Sequence, residues 1–88
     1  MAPSSTAAER MQVMRTMIAE ILEIEPEEIT ETSNFQEDHG ADSLRAIEIL
    51  ASLEKEFHVE IPQQELVNMT DLTSVYRVFQ QYAGWSEE

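Results

Sequence analysis

Apolar side chains recur at helical spacing in three separate stretches of this 88-residue chain, and that periodicity limits the fold more than any other feature. Met11, Met14, Ile18, Ile21 and Leu22 follow Thr6-Ala7-Ala8-Glu9, a capping-box pattern, which predicts a first helix from about Ala7 to about Glu23. A second helix is expected from about Ser43 to Phe57. A last one begins at a Thr70 or Asp71 cap, carries the stripe Leu72, Val75, Phe79 and Tyr82, and stops at Gly84, with Trp85 folding back on the bundle. Two Gly and three Pro are too few turn formers for a β-sandwich, and 42% hydrophobic residues are too many for a disordered acidic tail. No cysteine is present, so no disulfide can staple the chain.

Between the first two helices, residues 24–42 hold no period, because Pro26, Ser33, Asn34 and Gly40 interrupt it. A long loop is expected there, pinned to the core by Ile24, Ile29 and Phe35. Loops of this length in compact domains are often functional. After the second helix, His58 to Pro62 reads as a connector and Pro62 to about Val67 as a brief helical turn, with Leu66 and Met69 facing inward. The fold class is therefore all-α: a four-helix bundle with three longer helices, one short helix and a long loop between helices I and II. Residues 1–88 read as a single domain with its core at about 7–83 and short tails.

At 100° per residue the second helix has two apolar stripes. Ala46, Leu50, Leu53 and Phe57 form one; Leu44, Ile47 and Ala51 form the other, roughly 120° around the helix. Arg45, Glu48, Ser52, Lys55 and Glu56 make its charged face. One stripe suffices to seat a surface helix. The second either widens the buried face or, bordered by Glu48 and Glu54, forms a small docking patch with an apolar centre and a charged rim. The net charge of −13 repels nucleic-acid phosphates and anionic lipid and favours basic protein partners. No apolar run approaches the ~18 residues of a membrane span, and residues 1–6 lack the features of a signal peptide, so a cytoplasmic protein is expected; a monomer is expected as well.

Ser43 lies where the long loop becomes a helix, beside the unpaired N–H groups and positive dipole end, a setting suited to a phosphate ester. Asp42 beside it could help to hold a metal ion during phosphoryl transfer. Ser and Asp are also the preferred helix N-caps, so position alone leaves a purely structural role open.

The segment Phe35-Gln36-Glu37-Asp38-His39-Gly40-Ala41-Asp42-Ser43-Leu44, with Ile47-Glu48-Ile49 and the run Leu53-Glu54-Lys55-Glu56-Phe57-His58-Val59-Glu60-Ile61-Pro62, resembles the acyl carrier protein family. With its flanking helices the resemblance runs from about Ala8 to Tyr82. It implies a bundle whose Ser43 is modified with 4'-phosphopantetheine, donated by coenzyme A through a magnesium-dependent phosphopantetheinyl transferase. The arm ends in a thiol that carries acyl groups as thioesters, so the protein is a carrier and not an enzyme. The absence of cysteine fits a sulfur that arrives with the cofactor. The family's docking face corresponds here to Asp42, Leu44, Ile47, Glu48 and Glu54, with Ala51 on the same stripe. Its partners would be ketosynthase, acyltransferase and tailoring enzymes with basic surfaces. The family's acyl pocket between helices II and III makes Phe35, Leu50, Ile61, Leu66 and Met69 candidate lining residues.

His39 stands where primary-metabolism members usually carry an apolar residue, and Arg45 and Lys55 interrupt a face that is commonly all acidic. The Ala/Ser-rich start and the tail with Trp85 also differ from the shortest housekeeping members. These departures point to polyketide or other specialised biosynthesis, with fatty-acid synthesis as the alternative. The residues also bear on two other classes. A hydrolase would need Ser43 as nucleophile, His39 as base and Asp38 or Asp42 as orienter, yet neighbours on one loop seldom make that geometry. An acidic divalent-cation-binding protein would use Glu25, Glu27, Glu28, Glu31, Glu37 and Asp38, but no twelve-residue loop with a central Gly is present. No metal site is expected.

Overall fold

The computed structural model describes residues 6–85; residues 1–5 and 86–88, and with them the readings of the extreme start and tail, lie outside the described residues. Four α-helices run in the order α1 (Ala7–Leu22), α2 (Phe35–His39), α3 (Ser43–Phe57) and α4 (Leu72–Ala83), with 3₁₀ segments at Pro26–Glu28 and Gln63–Asn68. No strand occurs among the described residues. α1 packs against both α3 and α4, and the Gln63–Asn68 segment bridges α3 and α4.

The ends of these helices follow from local chemistry. Thr6 and Glu9 satisfy each other's backbone N–H groups at the start of α1, and Asp71 and Ser74 do the same for α4. Asp71, rather than Thr70, is the cap. α1 closes one residue earlier than the periodicity predicts, at Leu22, because Glu23 turns into the left-handed region (φ 62°). Gly84 closes α4 in the same conformation at φ 74°, as expected of a residue without a Cβ penalty. His58 closes α3 at φ 57°, a left-handed stop that no glycine announced.

The loop between α1 and α3 is more structured than the broken period suggests. Asn34 accepts hydrogen bonds from the N–H groups of Gln36 and Glu37 and starts α2, and Gly40 at φ 71° ends it. Ile29 and Phe35 are buried and Ile24 packs against the core, so the expected pins hold. The loop is also stitched to α4. Phe35 N–H donates to the Thr70 carbonyl at 2.9 Å, and the Glu31 carbonyl accepts from the Thr73 N–H and hydroxyl at 3.1 and 2.9 Å.

Met14, Ile18, Leu53, Leu72, Val75 and Phe79 form the fully buried centre. The predicted α4 stripe needs one correction. Tyr82 is exposed and hydrogen-bonded to Glu65, whereas Tyr76 and Val78 are buried, because α4 packs against both α1 and the Gln63–Asn68 segment and so uses a wider face than a single stripe. Ile49, assigned to neither stripe of α3, is also buried. It lies three residues after Ala46 and four before Leu53, so the helical spacing that places it in the core was present in the sequence.

Candidate functional site

Asp42 is the N-cap of α3: its carboxylate Oδ1 accepts from the Arg45 N–H at 3.0 Å. Ser43 is therefore the first helical residue, where the backbone N–H groups of the first turn point away from the helix body. Gly40 and Ala41 bring the chain there. The left-handed Gly40 reverses direction after α2, Ala41 is buried, and its N–H donates to the Phe35 carbonyl at 2.9 Å. Asp42, Ser43 and Leu44 are thereby left exposed, and the Ser43 hydroxyl makes no hydrogen bond among the described residues.

A cavity of about 450 Å³ opens beside Ser43, lined chiefly by Phe35, Ala46, Ile47, Ile49, Leu66, Met69 and Val75, with Asn34, Asp42 and Thr70 at its polar margin. Of the five residues expected to line an acyl pocket, Phe35, Leu66 and Met69 do. Leu50 and Ile61 do not. Leu50 is 3% exposed and turned into the core, and Ile61 borders a separate open groove with Ala51, Glu54 and Tyr82. Ile49 and Val75 take their place, since the cavity lies among the first two turns of α3, the first turn of α4 and residues Leu66, Val67 and Met69, away from Ile61 before the start of the Gln63–Asn68 segment.

The second stripe of α3 faces solvent. Leu44 is 64% and Ile47 39% exposed, and Ala51 is exposed as well. Its rim is less uniform than expected. Glu54 accepts from the Ile61 N–H at 2.7 Å and so fastens the connector after α3, while Glu48 Oε1 lies 3.6 Å from Arg45 Nη1.

The residues of a hydrolytic triad are not assembled. His39 Nε2 lies 2.9 Å from Ser33 Oγ, Asp38 accepts from the Asn34 N–H at 2.7 Å, and Asp42 is engaged with Arg45. His39 thus braces α2 against the Thr30–Ser33 turn, which its position before a glycine did not reveal. No group of three or more His, Cys, Asp or Glu side chains that could hold a metal ion occurs among the described residues. No helix there is long and apolar enough to cross a membrane.

An exposed hydroxyl on the first turn of a helix, with free backbone donors beside it and an apolar cavity next to it, fits a phosphate ester that bears a long arm. Residues 12–79 match the family described as the phosphopantetheine attachment site. The chain is 51% identical over 76 residues to polyketide-8 synthase acyl carrier protein 1 of Streptomyces avermitilis, covering 86% of this chain and 90% of that protein. A chain in the solved structure described as the ishigamide ketosynthase/chain length factor superposes with a TM-score of 0.71 at 35% identity, covering 88% of this chain and 97% of that one. An acyl carrier protein from Enterococcus faecalis shares the fold, with a TM-score of 0.74 at 24% identity over 89% of this chain and 99% of that one. The chain belongs to the acyl carrier protein family, whose members are phosphopantetheine-bearing carriers rather than enzymes.

Proposed function

We propose that this protein carries acyl intermediates of polyketide assembly on a 4'-phosphopantetheine arm joined to Ser43. The observation that carries the reading is the exposed Ser43 hydroxyl, on the first turn of α3 at the edge of an apolar cavity. When bound, the group supplies a terminal thiol for thioester chemistry. The chain itself supplies the rest. Ser43 Oγ would attack the phosphorus that bears pantetheine in coenzyme A, displacing adenosine 3',5'-bisphosphate as the pyrophosphate bond breaks, and its proton would pass to a base of the transferase, because among the described residues no carboxylate or imidazole is hydrogen-bonded to that hydroxyl. Free N–H groups of the first turn and the helix dipole favour the phosphate charge, and Asp42 fixes that turn. Residues 7–83 act as one carrier domain, monomeric and cytoplasmic.

Leu44, Ile47 and Ala51, with Asp42, Glu48 and Glu54 around them, form the surface that docks on basic faces of the phosphopantetheinyl transferase, ketosynthase, acyltransferase and tailoring enzymes. An exposed apolar centre with charged neighbours is the usual anatomy of such a contact. Phe35, Leu66 and Met69, joined by Ile49 and Val75, receive cargo. The polyketide assignment rests on the identity to the Streptomyces avermitilis carrier.

The purified apo protein, given coenzyme A, magnesium and a promiscuous phosphopantetheinyl transferase, should gain the mass of one phosphopantetheine, and Ser43→Ala should gain none. Modification that persists in Ser43→Ala, or maps to Ser33 or Ser52, overturns the assignment.

A further inference from the structure

Three carboxylates lie along the docking side of α3, and they are not equivalent. Asp42 and Glu54 each accept from a neutral backbone N–H, of Arg45 at 3.0 Å and of Ile61 at 2.7 Å, which leaves their negative charges intact. Glu48 instead faces a cation. Arg45 Nη1 lies 3.6 Å from Glu48 Oε1, and Nη2 lies 3.6 Å from Glu23 Oε2. The guanidinium is also anchored, because Nη1 donates to the Ile21 carbonyl at 2.6 Å. α1 has no basic residue in its last turn, so the cation that meets its C-terminal carbonyls comes from α3.

We infer that Arg45 is a specificity-determining residue of the docking face: pinned against Ile21, it masks Glu48 and divides the negative charge of α3 into two separated points, Asp42 and Glu54. The inference rests on the carrier reading and concerns which basic partners are favoured. Twelve residues of helix place those two carboxylates about 18 Å apart along the axis. That is roughly twice the screening length of about 8 Å at physiological ionic strength, so an approaching partner meets two charges and not a continuous acidic strip. The Arg45–Glu48 pair is exposed and adds little to stability. Its effect on the field is larger, since a carboxylate next to a fixed cation acts at a distance as a dipole. Partners with cations spaced to reach the two ends of α3 are favoured over those that place a cation on its middle.

The test uses the apo protein and a purified phosphopantetheinyl transferase. Equilibrium binding is measured without coenzyme A, and kcat/KM for arm attachment with coenzyme A and magnesium, both across ionic strength. Arg45→Gln should bind about two- to five-fold more tightly at low salt, with a steeper salt dependence and convergence on the parent at high salt. Arg77→Gln, the same charge change at an exposed site on α4, should stay near the parent protein. Glu48→Gln alone should weaken binding by about two-fold, because Arg45 already offsets most of that charge, and in the Arg45→Gln background it should abolish the gain. Equal effects of Arg45→Gln and Arg77→Gln would reduce the inference to net charge and overturn it. So would weaker binding by Arg45→Gln at every ionic strength together with a lower melting temperature, which would make the residue a clamp only. Should Arg45→Gln fail to fold, a roughly ten-fold loss in Glu48→Gln alone would overturn it as well. A parent protein that is not modified at Ser43 would instead fail the carrier reading.

Discussion

The two ends of α3 are built for different purposes. At its C-terminal end Phe57 meets Trp85 edge-on with ring centroids 5.3 Å apart, and Phe79 and Tyr76 complete an aromatic cluster around Trp85. Arg10 closes that cluster from α1, with its guanidinium 4.5 Å from the Trp85 ring and Nη1 donating to the Tyr76 hydroxyl at 3.0 Å. At its N-terminal end the same helix presents exposed Ser43 and Leu44 beside a cavity of about 450 Å³. Packing is concentrated where nothing has to enter. A small bundle can leave one end loose only if cohesion elsewhere compensates, since stability of a domain this size is a small difference between large terms.

The largest effect that would sharpen this contrast is expected in the middle of α3. Leu50→Ala should cost about 2–5 kcal/mol by removing buried methylenes and leaving a void. Ile47→Ala, at the lip of the cavity, should cost about 1 kcal/mol or less while impairing reactions with partner enzymes. Denaturant melts of the two variants side by side check this. Comparable large losses would place the second stripe in the core and break the division between a sealed and an open region.

An intermediate effect is expected at the sealed end. Trp85→Ala should destabilise by about 1–2 kcal/mol through lost aromatic and cation–π contacts, with arm attachment at Ser43 unchanged. Trp85 is the only tryptophan in the chain, so its fluorescence follows unfolding at that end directly. A variant with unaltered melting would mean that the aromatic cluster does not brace the bundle.

The smallest effect concerns Glu65 and Tyr82, with Tyr82 beside the groove along the C-terminal half of α3. The Tyr82 hydroxyl donates to Glu65 at 2.7 Å, which holds the Glu65 carboxyl below its ordinary range, helped by Asn68, and raises Tyr82 above its own. A depressed carboxyl stabilises the fold above its unfolded pKa, and that contribution is lost as pH falls through its folded pKa, below the ordinary 4.5. Tyr82→Phe should move the Glu65 titration back toward its ordinary range, read by carboxyl NMR, with no change in melting at neutral pH. An unmoved titration would show that the pair does not form in solution.

Much of the fold was legible in the residues. The three long helices followed from apolar spacing, the capping box at Thr6 from side-chain chemistry, and the start of α3 at Ser43 from Gly40-Ala41-Asp42 preceding an apolar-periodic run, while the role proposed for Ser43 came from the family resemblance and not from its position. Those signals are local: each is satisfied within a few residues, so the chain order carries it. Less was legible where neighbours decide. The loop hid α2 because five residues are too few to show a period, and its helix depends on the Asn34 cap and the ties to Thr70 and Thr73. Leu50 and Ile61 looked as suitable for a pocket as Phe35 and Met69, because an apolar residue does not record which void it borders.

The sequence by itself determined the helical class, the position of Ser43 at a helix start and the strongly acidic character, all set by periodicity, capping and composition. Only the tertiary structure decided that Ile47 faces solvent, that Tyr82 leaves the core for Glu65, and that Arg45 crosses to Ile21 and Glu48. The reason is physical. Helical period fixes the angle at which a side chain leaves its own helix, but burial and charge pairing depend on where the other helices stand, and that is settled by packing of the whole bundle.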